Sequence, residues 1–138
     1  MSARVYELAN WHTELYIDSK NLKDLSATIT SLSKVSIDHL GLNKEGVPDL
    51  LKLVNAGIKV KASGFSRTNL NIPETIKEIY AINEDALMFG SDLPGTRAPR
   101  PFKHSDIEII QDTLGDRASE QVLFRNALNF YSQSRPTT

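Results

Sequence analysis

The sequence predicts an α/β fold of four consecutive β/α units with parallel strands. Three observations carry this. Short apolar or alternating runs begin near residues 13, 35, 58 and 86. Each is followed by a stretch with apolar residues at helical spacing. The period is short and regular, and such alternation makes parallel strands joined by right-handed crossovers.

The first strand is expected at about 13–18 and its helix at 22–32, where Leu22, Leu25, Ile29 and Leu32 share a face. The second strand is 35–39. Its helix begins near Gly46-Val47-Pro48, with Pro48 suited to a first turn, and buries Leu50, Leu51 and Val54; Gly57 stops it. The third strand is 58–63, and a helix from Pro73 presents Ile76, Ile79 and Tyr80. The fourth strand is 86–91. Two closing helices carry Ile107, Ile110 and Leu114, then Val122, Leu123, Ala127 and Phe130. This is one domain over 1–131, with a flexible polar tail over 132–138. Four units suit a doubly wound sheet or half of a (β/α)₈ barrel, which needs roughly 250 residues; periodicity alone leaves both open.

Composition narrows the function. The 138 residues suffice for one domain with a core. With 16 basic and 17 acidic side chains, the chain lacks the basic footprint of a nucleic-acid binder. It has no cysteine, which excludes disulfides and thiolate metal sites and fits a reducing cytoplasm. No apolar run approaches the ~20 residues of a membrane span, and residues 1–10 lack a secretory signal's apolar core. A cytoplasmic protein with neither nucleic-acid nor membrane partner is expected.

The chemistry gathers at strand ends. The apolar run Ala86-Leu87-Met88-Phe89 breaks into Gly90-Ser91-Asp92, then a loop bearing Arg97 and Arg100. A carboxylate at the carboxyl end of a buried parallel strand is where α/β enzymes place catalytic groups. Asp92 reads as a general base or metal ligand, or as a turn cap. His39, in Asp38-His39-Leu40-Gly41, could polarise a carbonyl or bind a metal, or be structural, with Asp38 orienting a neighbour. In Lys59-Val60-Lys61-Ala62-Ser63, Lys61 and Ser63 share a polar face, as at a barrel mouth or on an edge strand. Arg67, Arg97 and Arg100 suit bidentate clamping of a carboxylate. Tyr16 shares a face with Glu14 and His12 and is a pocket candidate. His12 reads as structural, Trp11 as packing and His104 as surface.

Three motifs occur in order: Ile37-Asp38-His39-Leu40-Gly41, Val60-Lys61-Ala62-Ser63-Gly64-Phe65-Ser66-Arg67 and Met88-Phe89-Gly90-Ser91-Asp92-Leu93-Pro94, with Asn126-Ala127-Leu128-Asn129-Phe130-Tyr131 at the end. From Trp11 to Tyr131 the chain closely resembles the C-terminal half of the amidohydrolase-related family. These are TIM-barrel hydrolases of the amidohydrolase superfamily that include the pyrone-dicarboxylate lactonase group. The resemblance implies a half-barrel whose last strand is the eighth. It implies hydrolysis of an ester or lactone bond, ahead of an amide, in a small carboxylate-bearing substrate. Asp92 would be the base and His39 the polarising group. Lys61, Ser63, Arg67, Arg97, Arg100 and Tyr16 would bind substrate.

Family members carry a His-x-His pair on their first strand. This chain has none, the first four strands are absent, and Tyr16 stands near the position of the fifth-strand histidine. No cofactor is therefore required of it. A divalent metal such as zinc enters only if a missing half supplies the pair, with Asp92 and His39 as candidate ligands. The lactonase group works without a required metal. Half a barrel leaves two sheet edges and its interior face uncovered, so self-association or a missing N-terminal half is expected. The alternative, of a different class, is an inactive barrel half serving as an assembly partner or remnant.

Overall fold

A computed structural model of the chain describes residues 1–132. Except for Ser132, the expected tail lies outside the described residues. Four strands, β1 (Thr13–Leu15), β2 (Val35–Ile37), β3 (Lys59–Ala62) and β4 (Leu87–Phe89), form one sheet in the order β1-β2-β3-β4. Every pairing is parallel. A flavodoxin-like order, with the first strand moved inward, is thereby excluded. The register sorts the side chains by the two-residue period of a strand. Leu15, Ile37, Val60 and Leu87 align across one face, and Glu14, Ser36 and Lys59 across the other.

The apolar face is covered by α2 (Leu22–Thr30), α3 (Val47–Asn55), α4 (Ile72–Ile82) and α5 (His104–Leu114). Ile37, Val60 and Leu87 are fully buried there against Leu50, Ile76, Ile79 and Ile110. Right-handed crossovers in sequential order place successive helices side by side on one face. Pro48 and Pro73 occupy first turns, and the Asn71 side chain caps α4 by accepting from the Glu74 N–H.

Some details differ from expectation. A helix absent from the sequence reading, α1 (Ser2–Ala9), precedes the sheet and buries no residue. Leu25 and Trp11 face solvent, at 39 % and 62 % exposure. On α3 it is Leu53, with Leu50 and Val54, that is buried, while Leu51 lies at the margin. Leu25 and Leu51 sit a fraction of a turn off the stripe that meets the sheet. The strands also stop earlier than expected, because the chain leaves the ladder at their carboxyl ends to form tight turns at 19–21, 39–41 and 65–67.

The end of the chain does something the sequence reading did not anticipate. After α6 (Asp116–Glu120) and a π-helical turn (Gln121–Arg125) comes α7 (Asn126–Tyr131). Buried Asn126 donates from Nδ2 to the carbonyls of Leu87 and Glu84, each at 2.8 Å. β4 bonds to β3 through Ala86 and Gly90, so the Leu87 carbonyl belongs to the outer edge of the sheet. Five residues later the Tyr131 hydroxyl donates to Glu14 on β1 at 2.9 Å. The His12 ring lies edge-on to Phe130 and Tyr131, with centroids 5.2 and 5.1 Å away. Thus α7 crosses the polar face from one edge strand to the other. Ser36 and Met88 on that face are buried.

Asn126→Ala removes both bonds and leaves the Leu87 carbonyl buried without its donor, at a cost of about 1–3 kcal/mol. Urea unfolding should show a lower midpoint with an unchanged slope.

Candidate active site

The carboxyl ends of β2, β3 and β4 bring His39, Ser63 and Asp92 together. His39 and Asp92 both adopt left-handed backbone conformations, with φ of 52° and 57°. That region is disfavoured for residues with a Cβ, and such strain persists only where the surroundings impose it. Fully buried Leu40 anchors the β2 turn. Gly64, at φ +56°, packs so closely that a Cβ there would stand 2.6 Å from His39 Nδ1. Only glycine leaves the imidazole its space.

Ser63 Oγ lies 3.0 Å from His39 Nδ1, and both side chains are buried. The opposite nitrogen, Nε2, stands 3.9 Å from Asp92 Oδ1, a charge contact beyond hydrogen-bond length. The other carboxylate oxygen, Oδ2, accepts from Arg67 Nε at 2.6 Å. Arg67 is itself held by donating from Nη2 to the Thr96 carbonyl at 2.9 Å. Asp92 is therefore pinned on one side and open to His39 on the other. Tyr16 sets its ring edge against His39, with centroids 5.5 Å apart, but is 65 % exposed.

A second polar group lies on the same face. Lys61 Nζ is 2.8 Å from Glu14 and 3.4 Å from Asp38. Glu14 Oε1 also meets Tyr131 Oη and His12 Nε2, each at 2.9 Å. Burial alone would raise the Glu14 carboxyl, but the hydrogen bonds from Lys61, Tyr131 and His12 outweigh it and hold the group below its ordinary 4.5. Burial likewise opposes the Lys61 ammonium, and Glu14 and Asp38 overcome it and raise the group. The Tyr131 phenol is raised by burial and by Glu14. Asp38, His39, Lys61, Ser63, Asp92 and Tyr131 line one cavity of about 280 Å³, room for a small organic molecule.

The arginines separate. Arg67 belongs to the site. Arg97 is exposed and makes no ion pair among the described residues. Arg100, expected to bind substrate, is engaged by Asp106 through two bonds of 3.0 and 2.6 Å. Its carbonyl accepts from Ser66 Oγ at 3.0 Å. This ties the arginine loop to the start of α5. Arg100 still borders Asp92 across a crevice of about 10 Å³, space for a single water. His104 is exposed, as expected.

Tyr131, which lines the cavity, and Glu14, which pairs with Lys61 beside it, escaped the sequence reading of the site. Glu14 was noted only as a facial neighbour of Tyr16, although the spacing 12/14/16 carries the signal that all three share a face. Tyr131 had no local signal, because its position depends on where α7 lands. As for a metal, His39 Nε2 and Asp92 Oδ1 are two donors, and Asp92 Oδ2 is held by Arg67. No three His, Cys, Asp or Glu side chains converge among the described residues. These donors do not make a metal centre by themselves.

Sequential parallel strands, with helices on one face and polar groups at the carboxyl ends, define half of a β/α barrel. Comparison with known proteins bears this out for the fold. No family model matches the chain, and no curated relative does. Among solved structures, amidohydrolase 2 from Bifidobacterium longum subsp. infantis superposes with a TM-score of 0.71 at 22 % identity, over 94 % of this chain and 52 % of that one. A Pseudomonas putida protein described as a 2-pyrone-4,6-dicarboxylic acid hydrolase gives 0.72 at 22 % identity, over 96 % of this chain and 56 % of that one. The chain thus spans about half the length of these structures. Among the described residues no helix is long and apolar enough to cross a membrane.

The Arg100–Asp106 pair makes a pH prediction. Burial raises the Asp106 carboxyl, but the bond from Arg100 and the Lys103 backbone N–H outweigh it, leaving the group below its ordinary 3.8. A folded-state value below the unfolded one stabilises the fold above the unfolded value, and the gain is lost as pH falls through the folded value. Stability measured by denaturant should therefore fall as pH drops below 3.8. Asp106→Asn should be less stable at neutral pH and show a shallower acid decline.

Proposed function

We propose that the chain carries the catalytic groups of a hydrolase that opens an ester or lactone bond, ahead of an amide, in a small carboxylate-bearing molecule. One observation carries the reading. Asp92 is fixed by Arg67 through one oxygen and offers the other 3.9 Å from His39 Nε2, at the carboxyl end of parallel strands and beside a cavity of about 280 Å³. The hydrolase descriptions of both similar structures support it.

In this mechanism Asp92 takes a proton from water as its oxygen attacks the carbonyl carbon. With Ser63 Oγ–H donating to Nδ1, the His39 proton rests on Nε2 and stabilises the developing oxyanion. The tetrahedral intermediate collapses by breaking the carbon–oxygen bond, and the proton on Asp92 passes to the leaving oxygen. Arg97, without an ion-pair partner among the described residues, receives the substrate carboxylate together with Arg67. Tyr16 shields the open side of His39. A resident divalent metal would take its remaining ligands from outside this chain, and no step above passes through one. The coverage of only about half of the similar structures supports a working form that includes a second copy or a separate N-terminal half. It equally favours a second reading, in which this chain is a silent barrel half acting as an assembly partner. Size-exclusion chromatography combined with an esterase assay separates the two.

The direct test is steady-state kinetics on lactone and aryl-ester panels. Asp92→Asn keeps the shape but cannot accept the proton, so turnover should fall about 10²–10⁴-fold with an unchanged circular dichroism spectrum. Arg97→Ala should mainly raise KM. Near wild-type turnover in Asp92→Asn would make Asp92 a turn residue only.

A further inference from the structure

The two ends of the cavity differ in charge. At the outer end, Arg67 balances Asp92, and Arg97, without an ion-pair partner among the described residues, adds a positive charge further along the same loop. At the inner end, toward the middle of the strands, Asp38 and Lys61 line the cavity, and Glu14 stands beside it, 2.8 Å from the Lys61 ammonium. With histidine counted as neutral, the inner end keeps one negative charge. The Asp38 side chain is one-fifth exposed, 20 %, and its buried Oδ1 has no hydrogen-bond partner among the described residues, the Lys61 ammonium standing 3.4 Å away. A carboxylate short of donors is served by a ligand that brings one to the part of the group it can reach.

Building on the hydrolase reading, we propose that Glu14, Asp38, Lys61 and Tyr131 form a distal subsite for a hydroxyl group, so that the substrate is a hydroxylated monocarboxylate. Its carboxylate lies toward Arg97, and its far hydroxyl donates to Asp38. The ligand's hydroxyl oxygen can in turn accept from Lys61. A second carboxylate at that end would meet two acids and a lysine already shared between them. Like charges brought together in a half-buried cleft oppose binding. A dicarboxylate, the substrate class in the description of the Pseudomonas putida structure, is thus selected against at this end.

Tyr131 makes the subsite possible. Its hydroxyl holds Glu14 at 2.9 Å, and its ring stands 6.0 Å from Lys61 Nζ, closing the cavity on the side where the sheet has no helix layer. The subsite is therefore supplied in part by α7, from outside the β/α units that carry Asp92 and His39.

The test uses two probes that differ only at one end, 5-hydroxypentanoate and glutarate, titrated calorimetrically into the full chain. The wild type should bind the hydroxy acid about tenfold more tightly, a modest charge-repulsion effect. The double variant Glu14→Gln, Asp38→Asn leaves Lys61 as an uncompensated cation, and its preference should reverse toward glutarate. Equal or tighter glutarate binding by the wild type overturns the proposal. So does failure of the hydroxy acid to bind at millimolar concentration, or a preference unchanged in a folded double variant. If the double variant does not fold, the wild-type comparison decides alone. Binding needs no turnover, so a chain that shows the preference but hydrolyses nothing would refute the reaction and keep the subsite.

Discussion

A parallel sheet has two faces, and both must be dealt with. Sequential right-handed crossovers deliver every connecting helix to one of them, and here Ile37, Val60 and Leu87 meet α3, α4 and α5 there. The other face cannot simply be left to water when its strands carry groups as small as Ser36 and as apolar as Met88. In a closed barrel the opposite strands would fill that space. In this chain α7 crosses it, fixed at β4 by Asn126 and at β1 by Tyr131. The cavity and the candidate site's inner wall follow from that crossing.

The site shows how a stiff scaffold holds groups in disfavoured states. His39 and Asp92 both have positive φ, each just past the end of a strand whose apolar side is locked in the core. Gly64 has no Cβ to displace the imidazole, and Ser63 sets the ring from beneath. Arg67 spans from Asp92 to the Thr96 carbonyl, so the loop after β4 and the turn after β3 are fixed to each other. None of these contacts lies within a single β/α unit.

What was legible in the sequence follows the range of the interactions. The strands and the helices between them were readable because period and turn residues are local: Val60 and Ala62 alternate with Lys59 and Lys61, and Pro73 starts a helix. Asp92 and His39 were visible because an apolar strand breaks abruptly into a polar residue at its end. The bond that holds Arg100 was not legible, because its partner, Asp106, lies on the following helix and has no feature distinguishing it from any other first-turn acid. Trp11 was expected to pack, yet the chain enters β1 with that side chain outward. The role of α7 was illegible, since an amphipathic helix does not state which of two faces it will cover.

The latch between Glu14 and Tyr131 joins positions 117 residues apart. Chains emerge from the ribosome N-terminus first, at about 5–20 residues per second. All four strands and their outer helices are therefore made before the residue that closes the open face exists. Until the last turn of α7 emerges, the nascent half-barrel presents its polar groups and the unpaired outer edge of β4 to whatever surrounds it. The inner wall of the cavity is thus completed only after every strand of the sheet has been made.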